Sequence, residues 1–278
     1  MGGIISYING AFISSEQAAL PINDLGIQRG YGVFDFLRVA GDKPLFIDDH
    51  LDRFCFSAEV MRLKIQQDRA ELKSIIQQLI NTNDLNHSGI RLILTGGASD
   101  DGYIITEPRL SIIQHSLKPP PEKLPETGIR MASNEYQRQL PHVKTTDYIM
   151  AVWLQPWMKE NNADDILYHN NGLITECPRS NFFMITKENI LVTPKEKILH
   201  GITRKKIITV AKKLGIEIQE RDIQLNEITE IKEAFITSST KRMLPISKID
   251  DYKLDDLYTS GIMQIIWQQL VELEINNQ

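Results

Sequence analysis

The sequence predicts a mixed α+β fold in two domains. Three observations carry the prediction. Hairpin signals recur along the chain and alternate irregularly with helical periodicities, unlike the strict βα order of a doubly wound sheet or a β/α barrel. Residues 118–126 hold Pro119, Pro120, Pro121 and Pro125, too many for a helix or a central strand. The 278 residues exceed the common single-domain size of about 150. The expected division is a small α/β domain at 1–117, a proline-rich linker at 118–126, and a larger domain at 127–278.

Each element follows from local chemistry. Tyr7-Ile8 and Ala11-Phe12-Ile13 flank Asn9-Gly10, a pair suited to the positive φ of a two-residue turn. A second hairpin is expected from Val33–Val39, a turn at Gly41-Asp42, and Leu45–Ile47. Asp48 or Asp49 can cap the next helix, whose apolar residues Leu51, Phe54, Ala58 and Met61 share a face. Leu72, Ile75, Ile76 and Leu79 predict a helix over 70–80. Strands follow near 90–95 and 109–114, joined by the glycine-containing loop 96–102. After the linker come a strand at 128–132 and a helix from about Thr146, ended or kinked by Pro156. The runs 165–168 and 173–175 flank Asn171-Gly172, a further hairpin signal. Strands at 182–185 and 190–192, a helix at 203–214, a strand at 233–237 and a helix at 258–273 complete the reading.

Composition narrows the function. With 31 Lys+Arg against 36 Asp+Glu and a net charge of -5, no basic excess supports a nucleic-acid surface. No run approaches the roughly 20 apolar residues of a membrane span. Cys55 and Cys177 lack ligand or redox spacing, which implies free thiols in a reducing compartment. Residues 1–6 show no secretory pattern; Gly2 and Ser6 match a loose myristoylation motif, but an opening strand explains them better. A cytoplasmic chain is expected. Gly30-Tyr31-Gly32 lacks the third glycine of a dinucleotide fingerprint. The Asp-Asp pairs beginning at 48, 100, 164, 250 and 255 read as caps and turns, and no His pair accompanies them, so no metal site is expected. Cys177 as a nucleophile has no arguable base.

Four segments together carry chemistry. They are Glu135–Thr146, with Lys144 after an extended stretch; Leu173–Phe183, containing Thr175-Glu176-Cys177-Pro178-Arg179-Ser180-Asn181-Phe182-Phe183; Leu199-His200-Gly201-Ile202-Thr203-Arg204, a glycine turn opening a helix; and His50-Leu51-Asp52-Arg53, supported by Thr237-Ser238-Ser239-Thr240. Singly, each has an ordinary reading as a surface lysine, a cross-strand partner or a capped helix. Jointly, with Asp24-x-x-x-x-Arg29-Gly30-Tyr31-Gly32-Val33-Phe34, they resemble the class IV, fold-type IV, pyridoxal-phosphate-dependent aminotransferases. That group includes D-amino acid and branched-chain aminotransferases and aminodeoxychorismate lyase.

The resemblance implies the D-amino acid aminotransferase-like fold: a small α/β domain plus a larger β-barrel-like domain with helices. It implies pyridoxal 5'-phosphate as cofactor, amino acids and 2-oxo acids as partners, and a homodimer. Lys144 corresponds to the Schiff-base lysine that also shuttles the α-proton. Glu176 corresponds to the partner of the pyridine nitrogen, where a carboxylate keeps the ring protonated. Arg53 would grip the phosphate with its forked donors. Ile202 and Thr203 would offer backbone N–H groups at a helix N-terminus. Ser180, Asn181, Ser239 and Thr240 complete the implied cofactor set.

Substrate choice depends on what meets the α-carboxylate. Gly96-Gly97 stands where the usual D-amino acid enzymes carry an arginine loop, and Phe34 replaces a common tyrosine. Arg29, Arg91, Arg179, Lys241 and Arg242 are the alternative cations, with Phe34 in the same pocket. A cationic pocket suits small or acidic amino and keto acids. The leading expectation is transamination of a D-amino acid such as D-alanine or D-glutamate with a 2-oxo acid. A branched-chain L-amino acid aminotransferase, aminodeoxychorismate lyase, and a non-catalytic binding protein on the same fold stay open.

Overall fold

The computed structural model describes residues 3–254, 257, 258 and 260–277, and its chain forms two compact units. Gly2 and the Asp255-Asp256 pair lie outside the described residues.

The first unit runs to Pro119 and includes Val143–Asp147 and Asn277. Its strands are β1 (Ile5–Ile8), β2 (Ala11–Ser14), β3 (Gly32–Ala40), β4 (Lys43–Pro44), β5 (His87–Thr95) and β6 (Arg109–Ser116). They form one antiparallel sheet in the order β2-β1-β6-β5-β3-β4. Asn9 and Gly10 turn β1 into β2 with φ of 45° and 99°, as the Asn-Gly pair predicts. The helices are α1 (Leu25–Arg29), α2 (Ile47–Val60) and α3 (Arg69–Asn83). Leu51, Phe54 and Ala58 of α2, with Leu72, Ile76 and Leu79 of α3, bury against Val33, Leu37, Val39, Leu92 and Leu94 of the sheet. Each such large side chain contributes about 2 kcal/mol of apolar burial. Strand alternation therefore sends the odd residues of β3, Asp35 among them, toward the helices, and Phe34 and Phe36 to the other face.

Four expectations shift here. The second hairpin closes on Lys43–Pro44, and Leu45 turns away into the core. The cap of α2 is Phe46, in the left-handed region at φ 53°, so Asp48 and Asp49 fall inside the first turn. There Asp48 pairs with Arg69 and Lys73 of α3. α3 is longer than 70–80: it opens at Arg69 behind a capping box of Asp68 and Glu71, and runs to Asn83, where Asp84 closes it in the left-handed region. The segment 143–147, assigned from sequence to the second domain, packs on the first unit. The Phe34 N–H donates to the Lys144 carbonyl at 2.9 Å, the Thr146 N–H to the Gly32 carbonyl at 2.9 Å, and Val143 enters the core.

The second unit comprises Pro120–His142 and Tyr148–Asn276. In chain order it holds β7 (Ile129–Glu135), α4 (Ile149–Trp153), α5 (Gln155–Glu160), β8 (Asp165–Asn170), β9 (Leu173–Ile174), β10 (Glu176–Cys177), β11 (Ser180–Thr186), β12 (Leu191–Thr193), α6 (Ile202–Lys213), β13 (Ile218–Glu220), β14 (Ile223–Gln224), β15 (Ile231–Ser238), β16 (Arg242–Ile249), β17 (Tyr252–Lys253) and α7 (Ile262–Asn276). The strands build an eleven-stranded sheet that curls into a half-barrel, ordered β13-β12-β11-β15-β16-β7-β8-β9-β14, with β10 beside β11 and β17 beside β16.

β11 is buried along its whole length, because both faces of the sheet are covered. Phe183 and Ile185 meet α6 and α7, where Ile207, Ala211, Met263, Ile266 and Leu270 pack. Phe182 and Met184 face a second core with Val192, Ile236 and Ile246. That explains its unbroken apolar run. The helix expected from Thr146 is two short helices. α4 ends at Trp153, and Pro156 sits in the first turn of α5, where its missing N–H costs nothing. β16 is not among the strands expected from sequence; it contains Pro245, which pairs with Phe235 across β15, next to a register shift against β7. Among the described residues no helix is long and apolar enough to cross a membrane, and no group of three or more His, Cys, Asp or Glu could hold a metal ion. Cys55 and Cys177 are free thiols.

Candidate active site

Each unit carries one cluster of the predicted residues. In the first, β3 presents Asp35 to α2, and the fork of Arg53 grips it: Nε donates to Oδ2 and Nη2 to Oδ1, both at 2.8 Å. His50, one turn earlier, lies with Nδ1 2.6 Å from Oδ1, and the Phe36 N–H donates to the same oxygen. Burial alone would push the Asp35 carboxyl up, but Arg53 and His50 outweigh it and hold the carboxyl well below the usual range. Burial pushes the His50 imidazole down. His50 is therefore neutral and donates from Nδ1, so its 3.4 Å approach to Arg53 Nη2 is two donors sharing one acceptor. The Nη1 of Arg53 has no protein acceptor among the described residues. Asp35 thus fixes one edge of the guanidinium and leaves the other unengaged among the described residues.

Lys144 lies in the same unit on an extended segment. Its backbone N–H donates to Ser57 Oγ at 3.2 Å, and its ammonium sits 4.4 Å from the centre of the Phe34 ring. Arg91, exposed on β5, lies over the same ring and over Phe36, at 5.8 and 5.9 Å. Arg29 is exposed at the end of α1 and donates to the Gln28 carbonyl.

In the second unit the hairpin of β10 and β11 sets Glu176 directly opposite Asn181. Glu176 is 5% exposed. Arg138 Nε donates to Oε1 at 2.8 Å and the Leu199 N–H to Oε2 at 2.9 Å. Arg138 Nη2 also donates to the Pro141 carbonyl. Asn181 Nδ2 donates to the Leu199 carbonyl at 2.8 Å. Two residues on, Gly201 opens α6 with no side-chain cap, and no described residue accepts from the N–H groups of Ile202 or Thr203. Ser180 Oγ is buried without a hydrogen-bond partner among the described residues. Ser239 and Thr240 form the turn between β15 and β16, where the hydroxyls of Ser238 and Thr240 lie 3.3 Å apart. Arg179 occupies the exposed turn between β10 and β11. Lys241 is tied to Asp165 at 3.0 Å and Arg242 to Glu274 at 2.7 Å. Those two cations are thereby neutralised within the fold. Cys177 is fully buried and burial raises its thiol well above the ordinary value, so it is no nucleophile at neutral pH.

Sequence gives Asp35, His50 and Arg138 no role, although His50 opens the segment that carries Arg53. Arg138 stands in the quoted lysine segment, yet nothing local marks it as a partner of Glu176, 38 residues away. Asp35 was a detectable signal: a lone carboxylate among the apolar residues that β3 turns inward requires a buried cation.

The second cluster offers an uncapped helix N-terminus, an orphaned buried hydroxyl and a fixed carboxylate; the first offers a half-occupied guanidinium and a lysine. Taken by itself, the second cluster has N–H donors that suit an anion and a carboxylate that suits a basic ring nitrogen; the first, taken by itself, has a guanidinium that suits an anion and an amine that suits an aldehyde. Each cluster thus fits groups that a phosphorylated pyridine aldehyde carries.

Comparison with known proteins supplies the family and the class of chemistry. Residues 32–249 match the model of amino-transferase class IV, and the chain belongs to that family. Enzymes of this class use pyridoxal 5'-phosphate, so the chain is a pyridoxal-phosphate-dependent aminotransferase. It is 28% identical over 273 residues to a D-alanine aminotransferase of Listeria monocytogenes, covering 95% of this chain and 94% of the relative. It is 29% identical over 252 residues to a putative branched-chain-amino-acid aminotransferase of Methanocaldococcus jannaschii, covering 88% and 87%. Its fold matches the branched-chain amino acid aminotransferase from Escherichia coli at a TM-score of 0.87 and 20% identity, covering 100% of this chain and 96% of the other.

Proposed function

We propose that the enzyme moves the amino group between a D-amino acid, such as D-alanine or D-glutamate, and a 2-oxo acid. The observation that carries this reading is Arg179, an exposed guanidinium without a carboxylate partner among the described residues, three residues from Glu176 in the same hairpin. With Lys241 and Arg242 neutralised by Asp165 and Glu274, Arg179 and Arg29 are the cations left to meet a substrate carboxylate, and Arg91 to meet a second one. The similarity to D-alanine aminotransferases over nearly the whole chain supports the D configuration.

When bound, the cofactor supplies an electron-accepting ring that stabilises negative charge at the substrate Cα. Lys144 is the residue that would hold it covalently, and the same amine, once free, would accept the substrate Cα proton at Nζ and carry it until it is given back. Glu176 would hold a proton at the ring nitrogen, a role its fixed, buried carboxylate suits. Arg53 and the N–H groups of Ile202 and Thr203 would hold the phosphate, with Ser180, Ser239 and Thr240 as hydroxyl donors. Asn181 acts through the backbone it holds. We place the enzyme in the cytoplasm as a homodimer; the exposed Ile149, Val152 and Trp153 of α4 support self-association.

The test is the conversion of D-alanine and 2-oxoglutarate to pyruvate and glutamate by the cofactor-loaded protein. Turnover of D-alanine with no turnover of L-leucine or L-valine is expected. Preference for the L-branched substrates would overturn the reading in favour of a branched-chain enzyme, for which the Methanocaldococcus relative is the supporting observation.

A further inference from the structure

Glu176 and Asn181 face each other across β10 and β11, and both reach the same residue. Glu176 Oε2 accepts the Leu199 N–H, and Asn181 Nδ2 donates to the Leu199 carbonyl. A single cross-strand pair thus grasps both polar groups of residue 199. Gly201 follows two residues later, and α6 starts at Ile202. A Cβ at Gly201 would run into Asn181 Oδ1, so the helix N-terminus is seated directly on the Asn181 amide. Gln137 Nε2 and His142 Nδ1 hold the Lys197 and Ile198 carbonyls of the same approach segment, at 3.2 and 3.1 Å. The 197–201 stretch is therefore pinned, and pinned to Glu176 in particular.

We infer that Asn181 is a positioning residue that fixes the α6 N-terminus relative to the Glu176 carboxylate. The pair acts as a gauge, setting the spacing between the group that meets a ring nitrogen and the N–H groups that meet a phosphate. This inference rests on the proposed cofactor roles of Glu176, Ile202 and Thr203. It assigns Asn181 an indirect part: both ends of its amide are engaged by the protein, by Leu199 and by the close packing of Gly201. Free N–H groups at a helix start bind an anion well only if their direction is set beforehand. Losing one well-placed donor to a charged group weakens binding about tenfold.

The test uses the full-length chain stripped of cofactor and titrated with pyridoxal 5'-phosphate or pyridoxal, following the absorbance of the bound aldehyde. The quantity read is the ratio of the two dissociation constants, which isolates the phosphate. In Asn181→Ala the advantage of the phosphorylated ligand is expected to fall at least tenfold, with pyridoxal binding unchanged. Gly201→Ala, which pushes on the same contact from the helix side, should lower the ratio too. The double variant should be no worse than Asn181→Ala, because the truncated side chain makes room for the new methyl. If both ligands weaken equally, Asn181 only supports the fold and the inference is overturned. If the ratio stays at the wild-type value in both single variants, the inference is likewise overturned while the cofactor roles stand. A wild-type protein without preference for the phosphorylated ligand would overturn those roles and the inference together.

Discussion

Removing Arg138 probes the organisation of the site without touching the residues proposed to meet ligand directly. Arg138 and Glu176 are 16% and 6% exposed at their side chains, so the pair is shielded from solvent. An exposed ion pair is worth at most about 1 kcal/mol. Breaking a buried one leaves an uncompensated charge and costs about 3–5 kcal/mol. Here the Leu199 N–H still serves one carboxylate oxygen, which places Arg138→Ala near the lower end, about 3 kcal/mol. For a chain of this size that corresponds to a fall in melting temperature of roughly 6–12 °C. Arg138→Lys keeps the charge but not the planar donors, and about 1 kcal/mol should be lost. Combining Arg138→Ala with Glu176→Gln removes the stranded charge and should recover at least half of the loss. The assay is thermal unfolding of the cofactor-free protein by circular dichroism. An Arg138→Ala protein melting within roughly 2 °C of wild type, or a double variant less stable than the single one, would refute the reasoning.

Three further outcomes follow from other contacts. Asp35 is depressed by Arg53 and His50 against the effect of burial, so its contribution to stability is complete above the unfolded carboxylate value of about 4 and is lost as pH falls through the lower folded value; urea melts should show the advantage of wild type over Asp35→Asn shrinking below about pH 4, and a pH-independent gap would count against the ion pair. Burial raises both thiols, Cys177 far more than half-buried Cys55; iodoacetamide at pH 8 should label Cys55 alone in the folded protein, whereas prompt labelling of Cys177 would contradict its enclosure. Arg179→Ala should raise KM for 2-oxoglutarate about tenfold with little change in melting temperature, whereas Lys241→Ala should destabilise the fold by stranding Asp165 and leave KM near wild type; the reverse pattern would show that Lys241 reads the substrate.

The sequence was most legible where one local rule sufficed. The Asn9-Gly10 and Asn171-Gly172 turns, the apolar stripe of α3 and the doubly covered run of β11 follow from φ preference and periodicity. Boundaries failed where a distant contact decided them. The α2 cap moved to Phe46, whose N–H bonds Asn277 at the far end of the chain, and β16 accepted Pro245 because a register shift in the sheet absorbs it. For the site, the residue types of Lys144, Glu176 and the Gly201 turn could be read as motifs. What holds them could not: Arg138 reaches Glu176 from another segment, Asn181 meets Leu199 across 18 residues, and Lys241 finds Asp165 at a separation of 76. Spacing along the chain reports none of those pairings.

The central claim is that Lys144 carries the cofactor in a class IV aminotransferase. Borohydride reduction of the loaded protein, followed by peptide mass mapping, tests it directly. The phosphopyridoxyl mass should appear on the peptide containing Lys144 and vanish in Lys144→Ala; attachment to another lysine, or label retained in that variant, would contradict the account.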